Sequence, residues 1–217
     1  MGSLTAPVTS AATDAGRPLS TNFARTSFWS WFAVEVAPAG TAGLDDDHLI
    51  ARIEAQLKQV HPDLGFELWE PDDGTVHFVI SADGLTSLFP DVVDLVRAAP
   101  SMDGWQVTAF RPRRAVGAKI CALGTELSGD QIWYHFDTED GGLRLSLFID
   151  GHDDQDWEML CAASGVLLDM ALGEYDAATR IARLEYCPLT PELVTLGLRP
   201  LRELAEHLDA HFANALH

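Results

Sequence analysis

The chain lacks most of the features by which a sequence declares a compartment or a reaction. None of its apolar runs approaches the roughly 18 residues of a membrane-crossing helix, so no membrane partner is expected. Cysteine is scarce: Cys121, Cys161 and Cys187 are odd in number, unevenly spaced and without a C-x-x-C pair. That excludes a disulfide framework and fits a reduced, cytoplasmic protein that uses cysteine as a small apolar residue. No signal peptide is legible, because the first thirty residues are rich in Ala, Ser and Thr and contain no apolar h-region. Nucleophile signatures are missing as well. The nearest string to a G-x-S-x-G elbow, Ala162 to Val166, falls inside a predicted helix, and no Gly-rich phosphate loop follows a strand. The sequence nominates no cofactor.

Positive charge is the other shortage. Fourteen Lys and Arg face 33 Asp and Glu, a net charge of −19. Residues 1–34 hold two of the bases and one of the acids, which leaves 12 bases against 32 acids for the remainder. Such a surface repels phosphate backbones and gains nothing from counterion release, so nucleic acid is not an expected partner. With 47% apolar and 22% charged residues, the composition is that of an ordinary globular protein with a core of normal size.

What is present is an internal echo at a spacing of 67 residues. Phe66 to Gly74 falls on Trp133 to Gly141 and Val76 to Gly84 falls on Leu143 to Gly151, aligning Asp73-Gly74 with Asp140-Gly141 without a gap. Both copies read as strand, tight Asp-Gly turn, strand, since apolar residues alternate around a dipeptide that tolerates positive φ. An amphipathic stretch and a third strand follow each hairpin, Trp105 to Pro112 in one copy and Arg180 to Pro188 in the other. The expected fold class is α+β. It comprises two ββαβ repeat units of mostly antiparallel sheet, with helices packed on one face and further helices at the N- and C-terminal ends. The expected boundaries are a disordered leader at 1–26, a first unit at 27–114 and a second at 115–217. Phe28-Trp29-Ser30-Trp31-Phe32 should dock on the core, because four aromatics in five positions are costly to leave in water.

Asp45-Asp46-Asp47 supplies cap and first-turn carboxylates to a helix running to about Val60. A further helix over Leu88 to Ala98 is expected to take Thr86 or Ser87 as its cap, with Pro90 in the first turn. The second copy's helix, about Gln155 to Leu172, is expected to stop at Gly173 in an αL cap. From Pro191 a terminal helix carries Leu201, Leu204, Leu208 and Phe212 along one face.

Four clusters carry the polar chemistry. Arg111, Arg113 and Arg114 form the basic cluster, suited to clamping a carboxylate or phosphate through bidentate guanidinium contacts, unless Arg113 and Arg114 simply pair with Asp91 or with Asp153 and Asp154. Glu174, Tyr175 and Asp176 are placed in a helix-to-strand loop, where functional residues accumulate. His152 and Asp154 open the most acidic window, whose oxygens suit a hard cation but also cap a helix start. His207 and His211, spaced i, i+4, have the spacing of two zinc ligands, although the intervening residues are not those of H-E-x-x-H and no third ligand is nominated.

Two segments also carry a resemblance. Leu172-Gly173-Glu174-Tyr175-Asp176 with Thr179 and Ile181, together with the Phe28-Trp29-x-Trp31-Phe32 cluster, resembles a family of uncharacterised bacterial hypothetical proteins, over about Phe28 to Leu189. The resemblance implies a bacterial protein and supplies no catalytic residue. The sequence thus favours a non-enzymatic, cytoplasmic module that binds a partner protein or small ligand. The competing reading is a hydrolase or metal-dependent enzyme using His152 and Asp154 or the Glu174 region.

Overall fold

The computed structural model describes residues 21–71, 73–122, 124–140, 142–150, 156–195 and 197–215, and these fall into two compact units divided along the chain between Arg111 and Pro112. The fold class is α+β with mostly antiparallel sheets.

The N-terminal unit contains α1 (Thr21–Glu35), so residues 21–26, expected in the leader, are helical, while residues 1–20 lie outside the described residues. Arg25 belongs to this helical stretch. Its guanidinium, 7% exposed, donates to Asp91 at 2.7 Å and to Asp94 at 3.1 Å, so the first turns of α1 are anchored by charge as well as by rings. A 3-10 segment, Ala37–Asp45, leads to α2 (Asp47–Val60), where the Asp46 carboxylate accepts the His48 and Leu49 N–H groups and Leu49, Ile53 and Leu57 are buried. This is the cap-and-stripe pattern read from the sequence. Next come β1 (Gly65–Trp69), β2 (Val76–Ser81), α3 (Phe89–Arg97) and β3 (Trp105–Ala109). β2 is central, antiparallel to β1 and parallel to β3. Neither Thr86 nor Ser87 caps α3; both enter a 3-10 turn ahead of it, and Pro90 occupies the first turn. Phe110 ends β3 at φ +67, a conformation bulky residues rarely adopt, and its ring lies 4.5 Å from that of Phe89.

The C-terminal unit places β4 (Ile120–Ala122) and β5 (Thr125–Leu127) in a small antiparallel pair. A four-stranded sheet follows, built from β6 (Ile132–Glu139), β7 (Gly142–Ile149), β8 (Ile181–Pro188) and β9 (Arg199–Pro200) in the order β8-β7-β6-β9. Between β7 and β8 run α4 (Trp157–Leu172) and α5 (Glu174–Arg180); after β8 come α6 (Pro191–Val194), β9 and α7 (Leu204–Ala215). The segment after Pro191 is therefore not one helix: it contains a short edge strand against β6. Leu143, Leu145, Leu147 and Ile149 alternate into one face of β7 and share a buried cluster with Leu160 and Leu167 of α4 and Leu204 and Leu208 of α7. Helices lie on one face of this sheet, as the period-2 pattern requires.

Both units run hairpin, helix, parallel strand, yet the gap-free correspondence fails at the turn. β6 and β7 pair Glu139 with Gly142, a two-residue connection at Asp140-Gly141, whereas β1 and β2 are separated by residues 70–75. Asp73 sits inside that wider loop, its carboxylate accepting the Thr75 N–H at 2.9 Å. In consequence Phe78 pairs with Leu68 while Leu145 pairs with Phe136, so the first strands correspond at 68 and the second strands at 67. Phe78 and Leu145 are both buried, as are Ile80 and Leu147, but Val79 is buried where Ser146 is not. The likeness is one of element order.

Candidate functional site

In the C-terminal unit three elements converge on Arg113. α4 ends at Gly173, which has φ +72 but an extended ψ of 155 instead of the αL cap, and the chain turns directly into α5. Glu174, Tyr175 and Asp176 are consequently the first turn of a helix and not a loop. Acids at its start and Arg180 in its last turn complement the helix dipole. The burial of this trio is the reverse of the ordinary expectation: Glu174 is 1% exposed and Tyr175 is exposed.

Arg113 spends its donors on this corner. Its two terminal nitrogens grip both oxygens of Asp209 at 2.7 and 2.8 Å, one of them also reaches Asp176 at 2.5 Å, and Nε donates to the Leu172 carbonyl at 3.1 Å. Arg180 completes the arrangement through Asp176 at 2.9 Å and Asp209 at 3.1 Å, with its guanidinium 4.9 Å from the centre of the Phe212 ring. Hydrogen bonding to Arg113 holds the Asp209 carboxyl down to about 2, and the bond to Asp209 in turn raises the Arg113 pKa. Two guanidinium groups and two carboxylates thus form a charge-neutral quartet.

Arg111 belongs to the other unit, donating to Asp83 at 2.7 Å with Glu67 at 3.9 Å. The Arg114 backbone N–H donates to the Met170 carbonyl at 2.7 Å. Asp91 is taken by Arg25 and not by Arg113, while His152, Asp153 and Asp154 lie outside the described residues. Sequence reasoning brought Arg113 and Asp176 into consideration separately; it missed Asp209 and Arg180, whose only signal was their opposite sign within the same copy.

His207 and His211 project from α7 onto β6. One face of β6 presents Tyr134, Phe136 and Thr138. The Tyr134 hydroxyl and His207 Nδ1 share a hydrogen bond at 2.9 Å, Thr138 Oγ1 lies 3.5 Å from His211 Nε2, and the Phe136 ring sits 4.5 and 5.3 Å from the two imidazoles. The Phe136 ring lies between Tyr134 and Thr138 on β6 and touches both imidazoles. Burial lowers the His207 pKa and raises that of Tyr134 to about 12, which favours the neutral form of both groups. Among the described residues no three His, Cys, Asp or Glu are grouped to hold a metal ion.

Ser164, Cys161 and Cys187 are poorly suited to act as nucleophiles. Ser164 is buried and donates to the Leu160 carbonyl at 2.7 Å. Burial pushes the Cys161 thiol up to about 11 and raises Cys187 too, opposite to what a reactive thiolate needs. No helix of the described residues is long and apolar enough to cross a membrane. No protein-family model matches the chain, and no curated protein is significantly similar to it.

Proposed function

We propose that the protein is a non-enzymatic module of the bacterial cytoplasm that binds another protein. The observation that carries this reading is the quartet of Arg113, Asp176, Arg180 and Asp209. The polar groups with the best claim to chemistry are spent on one another, which makes them a structural lock between the 112–114 segment, α5 and α7. The raised thiol pKa values and the engaged Ser164 hydroxyl support the same view. Three free cysteines suit a reducing compartment, and the strong negative charge disfavours nucleic acid as the partner.

The test is to follow turnover of generic ester, phosphoester and peptide substrates, with and without divalent cations, alongside thermal unfolding. The reading predicts no protein-dependent turnover, and a lowered melting temperature as the main effect of Arg113→Ala. Turnover that scales with protein and disappears in Arg113→Ala or Asp176→Asn would contradict it.

A further inference from the structure

The two edges of the C-terminal sheet are built differently. β9 is two residues long and ends in Pro200, so it offers another strand almost nothing to pair with. β8 is eight residues long, and among the described residues its one strand neighbour is β7. Its irregularities stand at its ends. Leu143 pairs with Ile181 and Arg144 with Arg183, which leaves Ala182 as a bulge, and Pro188 closes the strand. Between them Arg183 to Cys187 pairs with β7 residue for residue, without Lys, Pro or Gly, and so presents a regular edge to one more strand.

The side chains of this stretch say which strand fits. Leu184 and Tyr186 pack against the core cluster, whereas Arg183 and Glu185 alternate onto the opposite face, paired with each other at 2.9 Å. In an antiparallel pair, residues directly opposite share a face and interact. A second β8 related by a two-fold axis through Leu184 therefore sets Leu184 against Leu184, Arg183 against Glu185 and Glu185 against Arg183. Moving the axis by one residue sets Arg183 against Arg183 or Glu185 against Glu185. The register centred on Leu184 is thus self-complementary, and it asks neither side chain to leave its present partner: the four charges make a square of alternating sign. We infer that β8 pairs antiparallel with β8 of a second copy of this chain in that register, joining the two sheets into one. The net charge of −19 opposes approach, but physiological salt screens it beyond about 8 Å, and the paired stretch itself carries one Arg and one Glu. The inference holds whether or not the protein turns over a substrate.

Sedimentation velocity of the full-length chain over a concentration series, with hydrogen exchange at its two extremes, tests this. A strand pair makes a small interface, so a dimer that dissociates on dilution is expected, with slower exchange in β8 at high concentration. Arg183→Glu and Glu185→Arg each set like charges opposite one another at two symmetry-related places and should weaken the dimer about tenfold or more. Mixed together, the two single variants should form a heterodimer, identified by native mass spectrometry. Arg183→Glu/Glu185→Arg, which restores opposite signs across the axis, should dimerise on its own.

A chain that stays monomeric up to about 1 mM would overturn the inference. So would a dimer indifferent to both single variants, exchange protection confined to elements other than β8, or single variants with native circular dichroism that fail to pair on mixing. The wild-type concentration series and Arg183→Glu/Glu185→Arg decide the question by themselves if a single variant does not fold.

Discussion

Phe78 in β2 and Leu145 in β7 hold the same place in their units, on a central strand between an antiparallel and a parallel neighbour. Around Phe78 the filling is aromatic: Phe32 stacks on it at 4.8 Å, and Phe66, Trp29 and Phe28 lie at 5.7, 6.1 and 6.3 Å. Leu145 belongs instead to a mainly aliphatic cluster with Leu143, Leu147, Leu160, Leu167, Leu204 and Leu208. One order of elements therefore accommodates two quite different cores. What each order needs is an alternating apolar face on the central strand and a helix to cover it. Shape matching within the face is solved separately each time.

That contrast can be broken most severely at the rings. Phe78→Ala removes the side chain on which four other aromatics lean and should cost about 3–5 kcal/mol, against about 2–5 for Leu145→Ala, where aliphatic neighbours can close in. Urea unfolding followed by circular dichroism measures both. A smaller loss at Phe78 than at Leu145 would mean that the aromatic contacts add nothing beyond their area.

The ionic anchors sharpen the comparison at the next level. Arg25 is buried, and Arg25→Ala leaves Asp91 and Asp94 facing each other at the start and middle of α3, for a predicted loss of about 2–3 kcal/mol. The quartet of the C-terminal unit is more exposed, so screening limits each of its pairs to about 0.2–1 kcal/mol. Its signature is in pH. The folded-state pKa of Asp209 is depressed, so its stabilisation is complete above the unfolded value near 4 and is lost as pH falls toward about 2. Acid titration of the melting temperature should show this loss in the wild type and its absence in Asp209→Asn.

His207 behaves with the same sign at higher pH. Its folded pKa is lowered, so stability present above about 6.5 declines as pH falls below it, and His207→Gln should flatten that part of the profile. The smallest effects concern the thiols. Exposed Cys121 should react with a neutral thiol reagent first, with Cys161 and Cys187 lagging because burial raises both. Rapid labelling of Cys187 in the native protein would revive a nucleophile.

Elements with their own local signals were legible in the sequence. α2 carried its cap and stripe, β7 its alternation, and the Phe28–Phe32 aromatics their need for burial. What escaped depended on distant partners. α1 already runs through residues 21–26, where Arg25 finds carboxylates 66 and 69 residues away. β9 is two residues long and exists only as an edge to β6. The one-residue difference between the hairpins was invisible because Asp-Gly tolerates both a two-residue turn and a wider loop. At the candidate site, charge sign suggested ion pairing for Arg113, but the choice of Asp176 and Asp209 follows from α5 and α7 meeting it in space.

The account turns on whether the quartet is a lock or a vacated ligand site, and a double-mutant cycle between Arg113→Ala and Asp209→Ala, read by urea denaturation, decides it most directly. A lock predicts that each single substitution destabilises the protein, with a coupling energy of about 0.5–1 kcal/mol between them. Additive effects, or a gain in stability from Arg113→Ala such as a guanidinium held in place for an anion would give, would contradict it.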